Sequence, residues 1–182
     1  MMDANERKVY WAAIHGDREA FEMIIRTQSR PLFAIAYGIL QNREEAEDAV
    51  QDALVKAWKS RWRVRDPEKF PAWLCMIARH RARDVFRKRR PDPSDLERHA
   101  LSRLTNPAQD ATIELDRQLD SALASLPELH REAISLRYFE EMDYATIENR
   151  LGLSNGSLRG ILGRALATMR KQLKPALASE RP

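Results

Sequence analysis

The chain has a single cysteine, Cys75, so it can close no internal disulfide and build no multi-cysteine zinc site. A reducing compartment is the natural setting for such a chain. Long hydrophobic runs are also missing. The longest nearly apolar stretch, Pro31–Leu40, falls far short of the roughly 20 residues a membrane-spanning helix needs. The opening residues MMDANERKVYW are charged and lack the apolar centre of a secretory signal. A cytoplasmic protein without membrane insertion is expected. The four histidines, at 15, 80, 99 and 130, are scattered without ligand spacing, so no metal site is expected. There is no Ser/His/Asp elbow, no phosphate-loop glycine pattern and no Glu-x-x-His pair. No catalytic residue and no cofactor are expected, and the chain does not read as an enzyme. Alternating apolar and polar residues, the mark of a strand, occur over no useful length.

What is present is helical period and unevenly placed charge. Ala46, Ala49, Val50, Ala53, Leu54, Ala57 and Trp58 recur at three- and four-residue steps and predict one apolar helix stripe. Phe21, Ile24, Ile25 and Gln28 read similarly, after a stop and cap at Gly16-Asp17. Pro31 is expected to open a separate helix, Leu32–Leu40. Around Pro91 the character changes: PDPSDLERHALSRLTNPAQDA carries three prolines, four acids and two arginines, with no long apolar stripe. The expected organisation is an all-α chain of two small helical domains. Residues 1–91 form the first, 92–115 a linker, 116–176 the second and 177–182 a tail.

The net charge is +4, yet the twelve residues RHRARDVFRKRR (Arg79–Arg90) alone hold seven cations against one acid. The remainder of the chain is slightly acidic. Basicity this local points to a polyanionic partner. Trp58, Trp62, Phe70 and Trp73 lie just before it, interleaved with Lys59, Arg61, Arg63 and Arg65. Rings with nearby cations suit single-stranded DNA, because bases stack on the rings and cations hold phosphates. Trp58 and Trp73 are expected mainly in the core. On the Ala46–Trp58 helix, Glu44, Asp48 and Asp52 stack at i,i+4, which costs a few tenths of a kcal/mol per pair and favours a basic partner surface.

In the second domain, DYATIENRLGLSNGSLRGILGRALATMRKQL (Asp143–Leu173) predicts a helix over Tyr144–Leu151, a glycine turn in LGLS, and a second helix capped by Ser154. Ile147, Leu151, Leu153, Leu158 and Leu162 supply crossing faces, and Arg159, Arg164, Arg170 and Lys171 make the second helix basic. That is the layout of a DNA-binding helix-turn-helix.

Together these blocks resemble bacterial RNA polymerase sigma factors of the compact extracytoplasmic-function group. Ala20–Ser60 resembles the start of their promoter-melting domain, Phe70–Arg90 the part that reads the minus-ten element, and Leu126–Leu173 their minus-thirty-five domain. The resemblance implies a promoter-specificity subunit that binds core RNA polymerase and promoter DNA and is often held by an anti-sigma factor. It implies that Asp48, Gln51 and Asp52 dock on the clamp helices of the largest polymerase subunit. It places Arg79, His80, Arg83, Arg87 and Lys88 on the minus-ten strand, with His80 where the family usually has the base-capturing Asn. Arg137, Asn155, Ser157, Arg159 and Arg164 fall at the minus-thirty-five contact. The chain departs from the family at Gly160-Ile161, where Ser-Arg is common, at Gly163, where a larger residue is usual, and at Glu148, where a small one is. A buried, unpaired Glu at that crossing is costly, so either the helices pack differently, or Glu148 reaches solvent, or Arg150 or another cation pairs it. The altered helix also motivates an alternative, a sigma-like decoy that binds an anti-sigma factor without reading promoters.

Overall fold

The computed structural model describes residues 2–88 and 118–179, and every regular element among them is a helix or helical turn. The all-α expectation holds. Capping sets where the first helices begin. Asp3 accepts from the Glu6 amide at 2.7 Å while the Glu6 carboxylate accepts from the Asp3 amide at 3.2 Å. This reciprocal box opens α1 (Ala4–Ile14). The chain then turns at Gly16, whose φ of +101° is strained for any residue with a Cβ. A Cβ there would also stand 2.9 Å from the Arg61 guanidinium. Asp17 caps α2 (Arg18–Leu40) through the Ala20 amide.

One expectation fails in α2. Pro31 opens no new helix; it sits inside one continuous helix. An interior proline costs about 3 kcal/mol. Ile24, Gln28, Leu32, Ile35 and Ile39 form a single buried stripe on both sides of it, and Pro31 is itself buried. Each fully buried large aliphatic returns roughly 1.5–3 kcal/mol, so packing outweighs the local penalty.

Gln41 ends α2 in the left-handed region, Asn42 caps α3 (Arg43–Ser60), and two 3-10 turns, Arg61–Arg63 and Pro67–Lys69, lead into α4 (Phe70–Lys88). In the second half, residues 118–124 are helical. α5 (Glu128–Ile134) follows and widens at Ser135–Phe139, where the Glu140 amide reaches back five residues to the Ser135 carbonyl. α6 (Tyr144–Leu151) and α7 (Asn155–Ser179) make the helix-turn-helix. Gly152 caps α6 at φ +68°, as the LGLS turn predicted.

The two halves pack on one another. α5 and the turn after it lie on α2, and α6 lies on α4, so residues of both halves join one buried cluster. The expected linker and its boundaries lie outside the described residues. Among the described residues no helix is long and apolar enough to cross a membrane.

The entry to the helix-turn-helix gives a direct stability test. Asp143 accepts from both the amide and the hydroxyl of Thr146, each at 2.8 Å, and these bonds hold its carboxyl below the ordinary Asp value. Asp143→Ala should cost about 1 kcal/mol in urea unfolding at neutral pH. A depressed folded pKa contributes stability above the unfolded value and loses it as pH falls. The wild-type and Asp143→Ala curves should therefore converge on acidification below the ordinary Asp pKa. A gap independent of pH would remove the charged cap as its cause.

Candidate nucleic-acid interface

α4 sorts its residues by face. Phe70, Leu74, Cys75, Ile77, Ala78 and Ala82 turn inward and are buried. Met76, His80, Arg83 and Arg87 recur every three or four residues on the opposite side and are exposed. Arg87 donates to Asp84 at 2.7 Å, and Lys88 is exposed at the helix end. Arg89 and Arg90 lie outside the described residues.

The exposed stripe runs into a cleft of about 540 Å³ lined by Arg63, Arg65, Lys69, Trp73 and Met76 among others. The aromatic residues divide as their surroundings dictate. Phe70 is fully buried. Trp58 and Trp73 are half-buried against the core, and Trp58 is clasped between Phe21, 5.1 Å between ring centres, and the Arg61 guanidinium 4.0 Å above it. Trp62 is left free, 66% exposed, with Arg63 5.4 Å over its ring. The same surface continues onto α1, which the sequence reading did not include. Arg7, Lys8 and Trp11 line an adjoining cleft of about 620 Å³ with Arg65, Asp66 and Pro67. The signal was present: Tyr10, Ala13 and Ile14 form the buried stripe of α1 and leave Trp11 off it.

α3 presents the opposite charge. Its stripe Ala46, Ala49, Val50, Ala53 and Ala57 is buried, and Asp48, Gln51 and Asp52 face solvent. Arg43 pairs with Glu47 at 2.9 Å. Among the described residues no cation pairs with Asp48 or Asp52. Gln51 borders an apolar cleft of about 480 Å³ with Ile25, Phe33, Val50 and Leu54.

In the helix-turn-helix, Leu158, Ile161, Leu162, Ala165 and Met169 are buried, while Asn155, Ser157, Arg159 and Arg164 are exposed. Ile161 therefore completes the core stripe. Gly160 leaves room for the Arg164 guanidinium, which would meet a Cβ there at 3.2 Å. Glu148 avoids the expected cost: it is half-exposed and accepts from the Asn155 side-chain amide. The Asn155 carbonyl oxygen in turn accepts from Arg159 Nε at 2.8 Å. Arg159 and Arg137 both lie 5.5 Å from the Tyr144 ring, and Arg137 also donates to the Met142 carbonyl. Ser157 donates its amide toward Ser154 Oγ at 3.4 Å. Burial, and then the Arg164 charge, push His130 below its ordinary value.

Arg150, offered as a partner for Glu148, goes elsewhere. It is 9% exposed, its Nη1 lies 3.8 Å from Cys75 Sγ, and its Nε has no partner among the described residues. Two arginines of α4 are held by α5. Arg79 donates from Nη2 to Glu132 at 2.7 Å and from Nε to both carboxylate oxygens at 3.1 Å. Arg83 Nη2 lies 2.7 Å from Glu128. Burial pushes the Glu132 carboxyl up, with Arg79 offsetting part of that. For Arg79 burial acts downward, but the bond and charge of Glu132 outweigh it and hold its proton on.

Comparison with known proteins gives the family. Residues 24–91 match the family described as Sigma-70 region 2, and residues 116–169 match Sigma-70, region 4. The RNA polymerase sigma-H factor of Pseudomonas aeruginosa is 28% identical over 174 residues, covering 89% of this chain and 90% of its own. The ECF RNA polymerase sigma factor EcfG of Rhodopseudomonas palustris is 30% identical over 135 residues, 74% of each. Among solved structures, CnrH in complex with the cytosolic domain of CnrY superposes with a TM-score of 0.68 at 27% identity, covering 97% of this chain and 99% of that one.

Proposed function

Because the chain belongs to the extracytoplasmic-function group of sigma-70 factors, and is thus a promoter-recognition subunit of RNA polymerase, we propose that its three faces divide the work of initiation. The exposed stripe of α4, with Trp62, the Arg63–Trp73 cleft and the α1 patch, grips the opened minus-ten strand. Asp48, Gln51 and Asp52 of α3 dock on core polymerase. The exposed edge of α7, through Asn155, Ser157, Arg159 and Arg164 with Arg137 behind them, lies on minus-thirty-five DNA. The protein acts in the cytoplasm by binding energy alone: captured bases and neutralised phosphates offset the cost of opening the duplex. An anti-sigma factor holds it in reserve. The sigma factor RpoE from Bartonella quintana, solved in complex with the anti-sigma factor NepR and similar to this chain at a TM-score of 0.60 and 26% identity, supports that partner.

The observation that carries this division is the continuity of one cationic and aromatic surface from His80 to Trp62, with no acid pairing Arg63 or Lys88 among the described residues. The decoy alternative drew on the altered α7. Arg159 and Arg164 both remain exposed there, which supports retained DNA contact.

His80 supplies the test. Neutral imidazole offers one donor and one acceptor, whereas Asn offers two donors and an acceptor, so the preferred base should differ from that of Asn-bearing relatives. On a promoter library randomised across the minus-ten element, His80→Asn should shift base preference and leave non-specific affinity nearly unchanged. Arg87→Ala and Lys88→Ala should lower affinity evenly across sequences and reduce the salt slope by up to ~1 each. An untouched base profile in His80→Asn, with a rewritten one in Arg87→Ala, would reverse the assignment.

A further inference from the structure

Two arginines of the basic run on α4 are already occupied. Arg79 and Arg83 are one helical turn apart on α4, and Glu132 and Glu128 are one turn apart on α5. The four side chains form a matched ladder across the joint, with Glu132 1% exposed beneath Arg79. Arg131, between the two acids in sequence, donates from Nε to the Gly38 carbonyl and ties α5 to α2.

We propose that α5 is an intramolecular occluder of the minus-ten helix. Its two carboxylates take the places on Arg79 and Arg83 that promoter phosphates take, so the closed chain cannot grip the strand until α5 withdraws. This rests on the assignment of α4 to DNA made above. The chemistry is competitive by design of the groups. A carboxylate and a phosphate present the same paired oxygens to a guanidinium fork.

Energetics make the joint releasable. A buried ion pair returns in Coulomb energy about what it costs in desolvation, so it fixes geometry without adding much net stability. The buried Nε of Arg150, unpartnered among the described residues, is a further debit on the closed state. A closed form of this kind is specific, yet a partner that binds other faces of either half can open it.

The chain carries its own reporter. Cys75, its single cysteine, is 0% exposed where α6, the neighbour of α5 in the same half, packs on α4 through Arg150. A buried thiol is inert to an aromatic disulfide reagent, and its reaction rate tracks the open population. The double variant Glu128→Gln with Glu132→Gln keeps side-chain shape and removes both charges. In the free full-length chain it should react at Cys75 about tenfold faster and bind a single-stranded minus-ten oligonucleotide about tenfold tighter. The two factors should match, because a closed population lowers apparent affinity by the fraction open. The charge exchange Arg79→Glu with Glu132→Arg should restore Cys75 protection, which a variant that merely unfolds cannot do. Circular dichroism confirms helix content throughout. A separate arm follows open complexes formed by holoenzyme carrying Arg83→Ala. Intact open complexes there would overturn the DNA assignment of α4. If they are lost, yet the double glutamine variant matches wild type in thiol rate and oligonucleotide affinity, occlusion alone is overturned. A faster thiol without tighter oligonucleotide binding overturns it as well.

Discussion

A chain carrying Asp48→Lys and Asp52→Lys is expected to lose core-polymerase binding by several kcal/mol while folding as before. Both acids lie on α3. Its inward stripe is small and fully buried, so the helix is held by Ala46, Ala49, Ala53 and Ala57, not by its acids. Asp48 and Asp52 face solvent at i,i+4 with no cation pairing either among the described residues. The double substitution exchanges one like-charged i,i+4 pair for another and sets a cation one turn after Glu44, so the isolated helix changes by only a few tenths of a kcal/mol. The thermal midpoint should therefore hold or rise slightly. At a basic partner surface, each reversal replaces attraction with like-charge contact, which costs several kcal/mol when water is excluded. Glu47→Lys is the control. Its charge is already matched by Arg43, so the loss should be smaller. The check is titration of fluorescent core polymerase at two salt concentrations. Undiminished affinity in the double variant, with unchanged circular dichroism, would move docking off α3.

Much of this was legible in the sequence because it is local. Asp17, Gly152 and the Ile147–Leu162 crossing act within one or two turns, and the rules of caps and period reach that far. Pro31 was misread because its penalty is local while its compensation comes from α3 and α4, distant in sequence. The Arg79–Glu132 pair spans 53 residues, and no spacing rule predicts it, although both i,i+4 pairs stood in plain view. Glu148 shows the same limit from the other side. Its expected partner Arg150 follows it by two residues and so points to another face of α6, toward Cys75. Its actual partner, Asn155, lies across the turn. Period separated Trp58, at the end of the apolar stripe, from Trp62; what it could not show is Phe21 and Arg61 closing over the Trp58 ring.

That separation gives the last expectation. Trp62→Ala should shorten the lifetime of the open complex by roughly 5–150-fold, since one base–aromatic stack is worth about 1–3 kcal/mol. The salt slope should not move, because no phosphate contact is lost. Neither should the thermal midpoint, because the ring is 66% exposed and supports nothing beneath it. Trp58→Ala should behave in the reverse order. Its ring packs at 5.1 Å on Phe21 and carries the Arg61 guanidinium at 4.0 Å, so its removal leaves a cavity and an unsupported cation. Cavity-forming truncations of large aromatics cost about 3–5 kcal/mol when fully buried, and less at this half-buried position. Arg63→Ala, beside Trp62, should reduce the salt slope by up to ~1. Fluorescence of a 2-aminopurine placed at successive minus-ten positions follows the strand, and urea unfolding follows the fold. If Trp62→Ala lowered the unfolding midpoint and left open-complex lifetime intact, the ring would be a structural element and the strand would run elsewhere.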